Sequence, residues 1–356
     1  MGLLRLLLAI SVLAYHAGPV LGSSMLPGDY AVEVFFMISG FYMSLVLSSK
    51  YAGQGSLRSF YVNRLARLYP VYLLVVLVSW VWFFFTWLWL GKVPINGWLE
   101  PYREMDFFQR LVQIIPNWTM IGNDIRCLYH FKSNEGFLLF HYYHNSTAPD
   151  GATWAGVFGT IGQAWSIGSE IWFYLAAPWL ARLKFPVLLA VGVIAMALKA
   201  SMEYSGLPTY FFTPAQLGFF VIGMLAHRTF SMLPFNLAPP KLGWTMALVL
   251  ALATVFFPWI EFSFSRWVYY IGFVVALPFV FSASKLNQFD RWVGNLSYPF
   301  YMTHSLAMSV VPAVIGKTYG TFPTLLATLF ASIVIQRYVE DPVEKWRHNV
   351  APIRRV

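Results

Sequence analysis

Charge is scarce in this chain and cysteine nearly absent. Of 356 residues only 11% are Asp, Glu, Lys or Arg, and Cys127 is the single thiol. One cysteine excludes an intrachain disulfide and any multi-cysteine metal centre. Also missing are the local signatures of soluble enzymes: no glycine-rich phosphate loop, no His-Glu-x-x-His zinc helix and no Gly-x-Ser-x-Gly elbow. Gly53-Gln54-Gly55 is too short to stand for a phosphate loop. Long repeats and low-complexity linkers are absent as well, so the chain reads as a single domain over residues 1–356.

What is there is apolar. Hydrophobic residues make up 58% and aromatics 19%, with 15 Trp and 20 Tyr, a composition far from that of a water-soluble domain. Apolar stretches of about 20 residues, enough to cross roughly 30 Å of hydrocarbon, lie near 3–22, 31–48, 69–90, 164–181, 185–201, 213–227, 242–260, 267–283, 293–315 and 320–338. The expected fold is an all-α integral membrane protein of about ten transmembrane helices. An even number puts both termini on one side. Arginines and lysines crowd that side, with Arg58, Arg64, Arg67, Arg182, Lys184, Arg228 and Arg347 among them, which by the positive-inside rule makes it cytoplasmic. The net charge of +9 therefore reflects topology, and no nucleic-acid partner is expected. The expected location is a membrane, with both termini on its cytoplasmic side.

The opening residues have the outline of a cleavable signal, with Arg5 before an apolar run and Gly22-Ser23-Ser24 after it. His16 argues for a retained helix, because a disposable segment has no use for an imidazole. The longest polar segment, near 91–163, contains Pro94, Pro101, Pro116 and Pro149 and is expected to form an external cap with one or two interfacial helices. Its Trp98, Tyr102, Trp118, Tyr142 and Tyr143 suit stacking on sugar rings and equally suit anchoring at the lipid interface.

Ionisable residues within apolar spans are costly, so each marks a candidate cavity. Arg5 and His16 are eleven residues apart, which returns them to one helix face about 16 Å apart along the axis. His16 can act as a general base near neutral pH while Arg5 orients an anion; alternatively Arg5 snorkels and His16 bonds a neighbouring helix. Arg64 and Arg67 lie three apart at the internal end of the third span, where guanidinium forks suit phosphate oxygens and also meet the demands of topology. Glu33 and Glu170 are carboxylates in apolar helices, and His304 lies at membrane depth with Tyr301 one turn before it. Glu340-Asp341-Pro342 reads as a helix stop. These features fit a membrane transferase or a transporter about equally.

The order of the elements narrows this. Arg5 with His16, then Phe35-Phe36-Met37-Ile38-Ser39-Gly40-Phe41, Arg64-Leu65-Ala66-Arg67-Leu68-Tyr69-Pro70, Trp165-Ser166-Ile167 to Glu170, Ser297-Tyr298 to His304, and Glu340-Asp341-Pro342 resemble the membrane acyltransferase 3 family over essentially the whole chain. The resemblance implies transfer of an acetyl or other short acyl group from cytoplasmic acyl-CoA to a hydroxyl of a cell-surface or lipid-linked glycan, with no metal. It implies that His16 serves as base or transient acyl carrier, that Arg5 stabilises negative charge, and that Arg64 and Arg67 hold the CoA phosphates. Glu170 would orient or activate a hydroxyl, with Glu33, Tyr301 and His304 in lesser roles. Two departures stand out: only four residues precede Arg5, and no soluble hydrolase-like domain follows the last span, so an acyl handover to one would need a separate partner. A transporter or flippase of a lipid-linked glycan is the competing reading. The acyl group, the sugar and the oligomeric state are left open by the sequence.

Overall fold

The structure is a computed structural model that describes residues 1–51, 56–91, 99–139, 151–207, 209–232, 239–260, 262–316 and 321–350. Helices dominate. Each of the ten apolar stretches holds one: α1 (Gly2–Ala17), α2 (Gly28–Ser49), α3 (Ser56–Leu90), α7 (Ala164–Leu180), α8 (Phe185–Tyr204), α9 (Thr213–Met232), α10 (Pro240–Val255), α11 (Ser265–Ser284), α12 (Gln288–Ile315) and α13 (Thr321–Ile335). Among the described residues five helices are long and apolar enough to cross a membrane: α2, α3, α8, α11, and α13 continued into the following turns. α1 and α10 are apolar but shorter. At 16 residues α1 spans about 24 Å, less than the thickness of a hydrocarbon core.

The segment near 91–163 differs from a simple cap of interfacial helices. It contains α4 (Leu99–Glu104), α5 (Phe107–Thr119) and α6 (Asn123–Arg126), followed by three strands, β1 (Tyr129–Lys132), β2 (Gly136–Leu139) and β3 (Thr153–Trp154). β1 is the central strand, antiparallel to both neighbours. Alternation in Tyr129-His130-Phe131-Lys132 is too short to register as a strand pattern, and only the pairing reveals it. Trp98, Tyr142 and Tyr143 lie outside the described residues.

By contact density the chain forms two units: residues 1–71, 176–192 and 219–356 in one, and 72–175 with 193–218 in the other. The first is held by close helix crossings at glycine. A Cβ on Gly40 would lie 1.8 Å from the Phe220 carbonyl oxygen, and one on Gly223 1.9 Å from that of Met37, so α2 and α9 meet backbone to backbone. Small residues at helix crossings are how apolar helices associate where lipid removes the hydrophobic drive. α1 and α12 meet in the same way at Gly2 and Gly294, whose Cβ position lies 2.8 Å from the Gly2 Cα. Asp290, in the first turn of α12, accepts from the Gly2 and Leu3 amides at 2.8 and 3.0 Å and so caps α1.

Candidate functional site

α1 and α12 run parallel, with Gly2 against Asp290 and Gly294 at one end and His16 against His304 at the other. Between these ends Ala9, Leu13, Ala14, Phe300 and Leu325 form a close-packed apolar cluster. The consequence is a pair of stacked imidazoles: the His16 and His304 rings are 5.7 Å apart with an 18° interplanar angle. His16 is exposed and His304 fully buried. The His304 Nδ1–H donates to the Tyr301 carbonyl oxygen at 2.7 Å, which fixes the tautomer of the neutral ring. Nε2 then carries the lone pair, and it has no hydrogen-bond partner among the described residues. The Tyr301 ring packs 5.7 Å from His304 and 6.2 Å from Phe35.

The other end of the same helices carries the charge. Arg5 and Arg67 both lie within electrostatic reach of Glu340 and Tyr42, and Arg347 lies within reach of Arg64 and Arg67. Arg347 bonds Glu344 at 3.2 Å, and the Arg64 guanidinium lies 5.8 Å over the Phe60 ring. A cleft of about 70 Å³ opens here, lined by Arg67, Pro70, Asn295, Glu340, Glu344 and Arg347 among others. Tyr298 Oη donates to the Leu68 carbonyl at 2.7 Å, fixing α12 against the arginine turn of α3. Asn295 in the cleft and His304 are nine residues apart, a rise of about 14 Å on α12, matching the roughly 16 Å from Arg5 to His16 on α1.

Two contributors here were not singled out from the sequence as functional. In the sequence Glu340 reads as part of a helix stop and Arg347 as a topological charge, yet in the fold both meet the Arg67 end of α3. Gln336–Glu340 form a π turn between α13 and α14 (Asp341–Val350), a device that turns side chains off the regular helical register and recurs at functional sites. Glu-Asp-Pro was visible as a motif; its proximity to residues more than 270 positions away was not.

The remaining candidates have other partners. Glu33 is buried and pairs with Arg266 at 2.6 Å, and Tyr270 Oη donates to the same carboxylate oxygen. Arg266 also lies 4.8 Å over the Tyr30 ring, so Glu33 closes an ion-pair network joining α2 and α11. Glu170, half-buried in the other unit, accepts from Tyr174 Oη one turn along α7. Among the described residues no group of three or more His, Cys, Asp or Glu side chains is placed to hold a metal ion.

The family described as "Acyltransferase domain", acyltransferase 3, matches residues 1–336. The chain belongs to the acyltransferase 3 family. Peptidoglycan O-acetyltransferase OatA of Listeria monocytogenes is 24% identical over 384 residues, covering 96% of this chain and 55% of that protein. Two provisionally named O-acetyltransferases of Staphylococcus aureus, from strains MRSA252 and COL, are 23% identical over 400 residues, covering 98% of this chain and 59% of theirs. The chain thus spans somewhat over half the length of these relatives. No solved structure matches it. Among the described residues of the first unit, ionisable side chains gather at the stacked histidines of α1 and α12 and at the cleft that Arg67 of α3 forms with Glu340, Glu344 and Arg347.

Proposed function

We propose that this acyltransferase 3 chain is a membrane-embedded O-acyltransferase that moves an acetyl or other short acyl group from cytoplasmic acyl-CoA to a hydroxyl of a cell-surface or lipid-linked glycan. The observation that carries the reading is the His16–His304 stack at one end of the parallel α1–α12 pair, with Arg5 and the arginine cleft at the other. Arg64, Arg67 and Arg347 suit the phosphates of the donor, because planar guanidinium forks match phosphate oxygens. The linear arm of CoA bridges the roughly 15 Å from that cluster to the imidazoles. His16 takes the proton of the acceptor hydroxyl as its oxygen attacks the thioester carbonyl. The C–S bond then breaks, the new C–O ester bond stands, and the proton passes to the CoA thiolate. His304, held by Tyr301, stacks on His16 and keeps its ring in place as the proton is taken.

The relatives' names support acetyl as the group, and that of the peptidoglycan O-acetyltransferase supports a glycan acceptor. On this reading the protein lies in the bacterial inner membrane with cytoplasmic termini. Glu170 is proposed to orient the acceptor, and Glu33 to hold α2 against α11.

Mass spectrometry of surface glycans from cells carrying wild type or His16→Ala at equal membrane levels tests the proposal. Glycan O-acylation is expected to fall by about a hundredfold or more in the variant. Equal acylation with reduced glycan export would replace this reading with a flippase.

A further inference from the structure

The second unit holds a cleft that acyl transfer by the histidines does not use. Trp80 and Phe83 of α3, Tyr102 of α4, Trp118 of α5 and the Val157–Thr160 segment surround a cavity of about 210 Å³. It reaches the protein surface, where Trp80 and Trp118 remain 41% and 39% exposed. Its back wall is polar. Asn117 donates from Nδ2 to the carbonyls of Gln113 and Phe158 at 3.1 and 3.0 Å, and its Oδ1 accepts from the Thr160 amide at 2.9 Å and from Arg126 at 3.3 Å. Asn117 is therefore fully committed, and the buried Arg126 guanidinium braces the wall through Asn117, Asn123 and the Gln113 carbonyl. Gln113 is not committed in this way. It is 2% exposed, it lines the cleft, and its Oε1 has no hydrogen-bond partner among the described residues.

We infer that this cleft is a subsite for one pyranose ring of the acceptor glycan. Aromatic walls accept the C–H faces of a sugar, and a buried carboxamide oxygen without a partner awaits a hydroxyl donor. An acyl chain would fit the aromatic walls but leave Gln113 Oε1 buried and unpaired, which is unfavourable. The volume is below the roughly 300 Å³ of a drug-sized pocket, so a single ring fits and an oligosaccharide does not. The identity of that ring as acceptor rests on the acyl-transfer reading; the binding chemistry of the cleft does not.

The test uses the full chain in lipid nanodiscs, free of glycoside detergents, with saturation-transfer NMR against chitotriose, maltotriose, galactobiose and rhamnose. Saturable binding of at least one is expected, weakened at least tenfold by Gln113→Leu and by Trp118→Ala, and unchanged by His16→Ala. Gln113→Leu keeps the volume and removes only the amide; half-exposed Trp118 provides a second variant should the first fail to accumulate. The inference is overturned if none of the four binds, if binding ignores both variants, or if dodecylphosphocholine occupies the cleft while the sugars do not displace it. Loss of glycan acylation in His16→Ala cells alongside failed sugar binding removes the cleft reading alone. Sugar binding at the cleft with no acylation by wild type removes the acyl-transfer reading and leaves a sugar site.

Discussion

At the scale of single residues, the candidates divide according to whether a side chain's partner is local. Cys127, a bland residue in the sequence, is 2% exposed, and burial pushes its thiol up to about 12. A thiol held so far from its thiolate is a poor nucleophile, so maleimide is expected to label Cys127 only after denaturation, as read by intact-mass measurement. Glu33 belongs to the same residue scale. Its loss would strand a largely buried Arg266 charge, at a cost of about 3–5 kcal/mol, so Glu33→Ala is expected to lower the thermal unfolding temperature. Acyl transfer per folded molecule should change little, and a specific loss of transfer at full stability would instead place Glu33 in the chemistry. For the arginine cleft the sharper substitution is Arg67→Lys. The charge stays but the bidentate fork goes, so the apparent KM for acyl-CoA is expected to rise about tenfold, with kcat nearly unchanged, in a membrane-vesicle assay.

Among elements, the governing contacts are helix crossings without side chains between them. A Cβ on Gly294 would lie 2.8 Å from the Gly2 Cα, so Gly294→Leu must push α1 away from α12. Overpacking of this kind costs about 1–3 kcal/mol or more, and the displaced helix also carries His16 off His304. The variant is expected to lose acyl transfer more than it loses stability, judged by activity normalised to folded protein. At the α2–α9 crossing the nearby imidazole is His227, bonded to Ser44 at 2.9 Å, and Gly40→Leu leaves the His16–His304 pair in place. The substitution is expected to reduce the amount of folded protein recovered from membranes without a separate effect on turnover. Both effects follow from the sub-van-der-Waals space at the crossing; Gly40 reads from the sequence as a place of close helix approach, whereas its partner Phe220 and the role of Gly294 emerge only from the fold. The helices in the ten apolar stretches were legible because a long apolar run announces its environment without reference to anything distant, although five of the described helices are long and apolar enough to cross a membrane. The three short strands after α6 were not, because four residues hold two alternations at most and strand identity there rests on pairing.

For the molecule as a whole, topology is the testable quantity. Because Cys127 is buried, engineered thiols can be read against it with little background. Leu21→Cys, in the highly exposed turn between α1 and α2, is expected to react with a membrane-impermeant maleimide in intact cells, whereas Ser49→Cys at the end of α2 reacts only after permeabilisation. The opposite pattern would invert the proposed orientation and put the arginine cleft on the wrong side for a cytoplasmic donor.

The sequence by itself determined the solvent, the helical character of the ten stretches and the spacings within each helix: Arg5 to His16, and Arg64 to Arg67. Those are set by composition and by a fixed rise and rotation per residue, which any window of the chain carries. The tertiary structure decided which helices touch, and with that nearly everything about the site: His304 rather than another polar group beside His16, Glu340 turned by a π turn toward the arginines, Glu33 taken up by Arg266, and Gln113 left open in an aromatic cleft. The reason is that these contacts join residues tens to hundreds of positions apart. They depend on glycine clearances and the hydrogen bonds of neighbouring helices, which no periodicity along a single helix encodes.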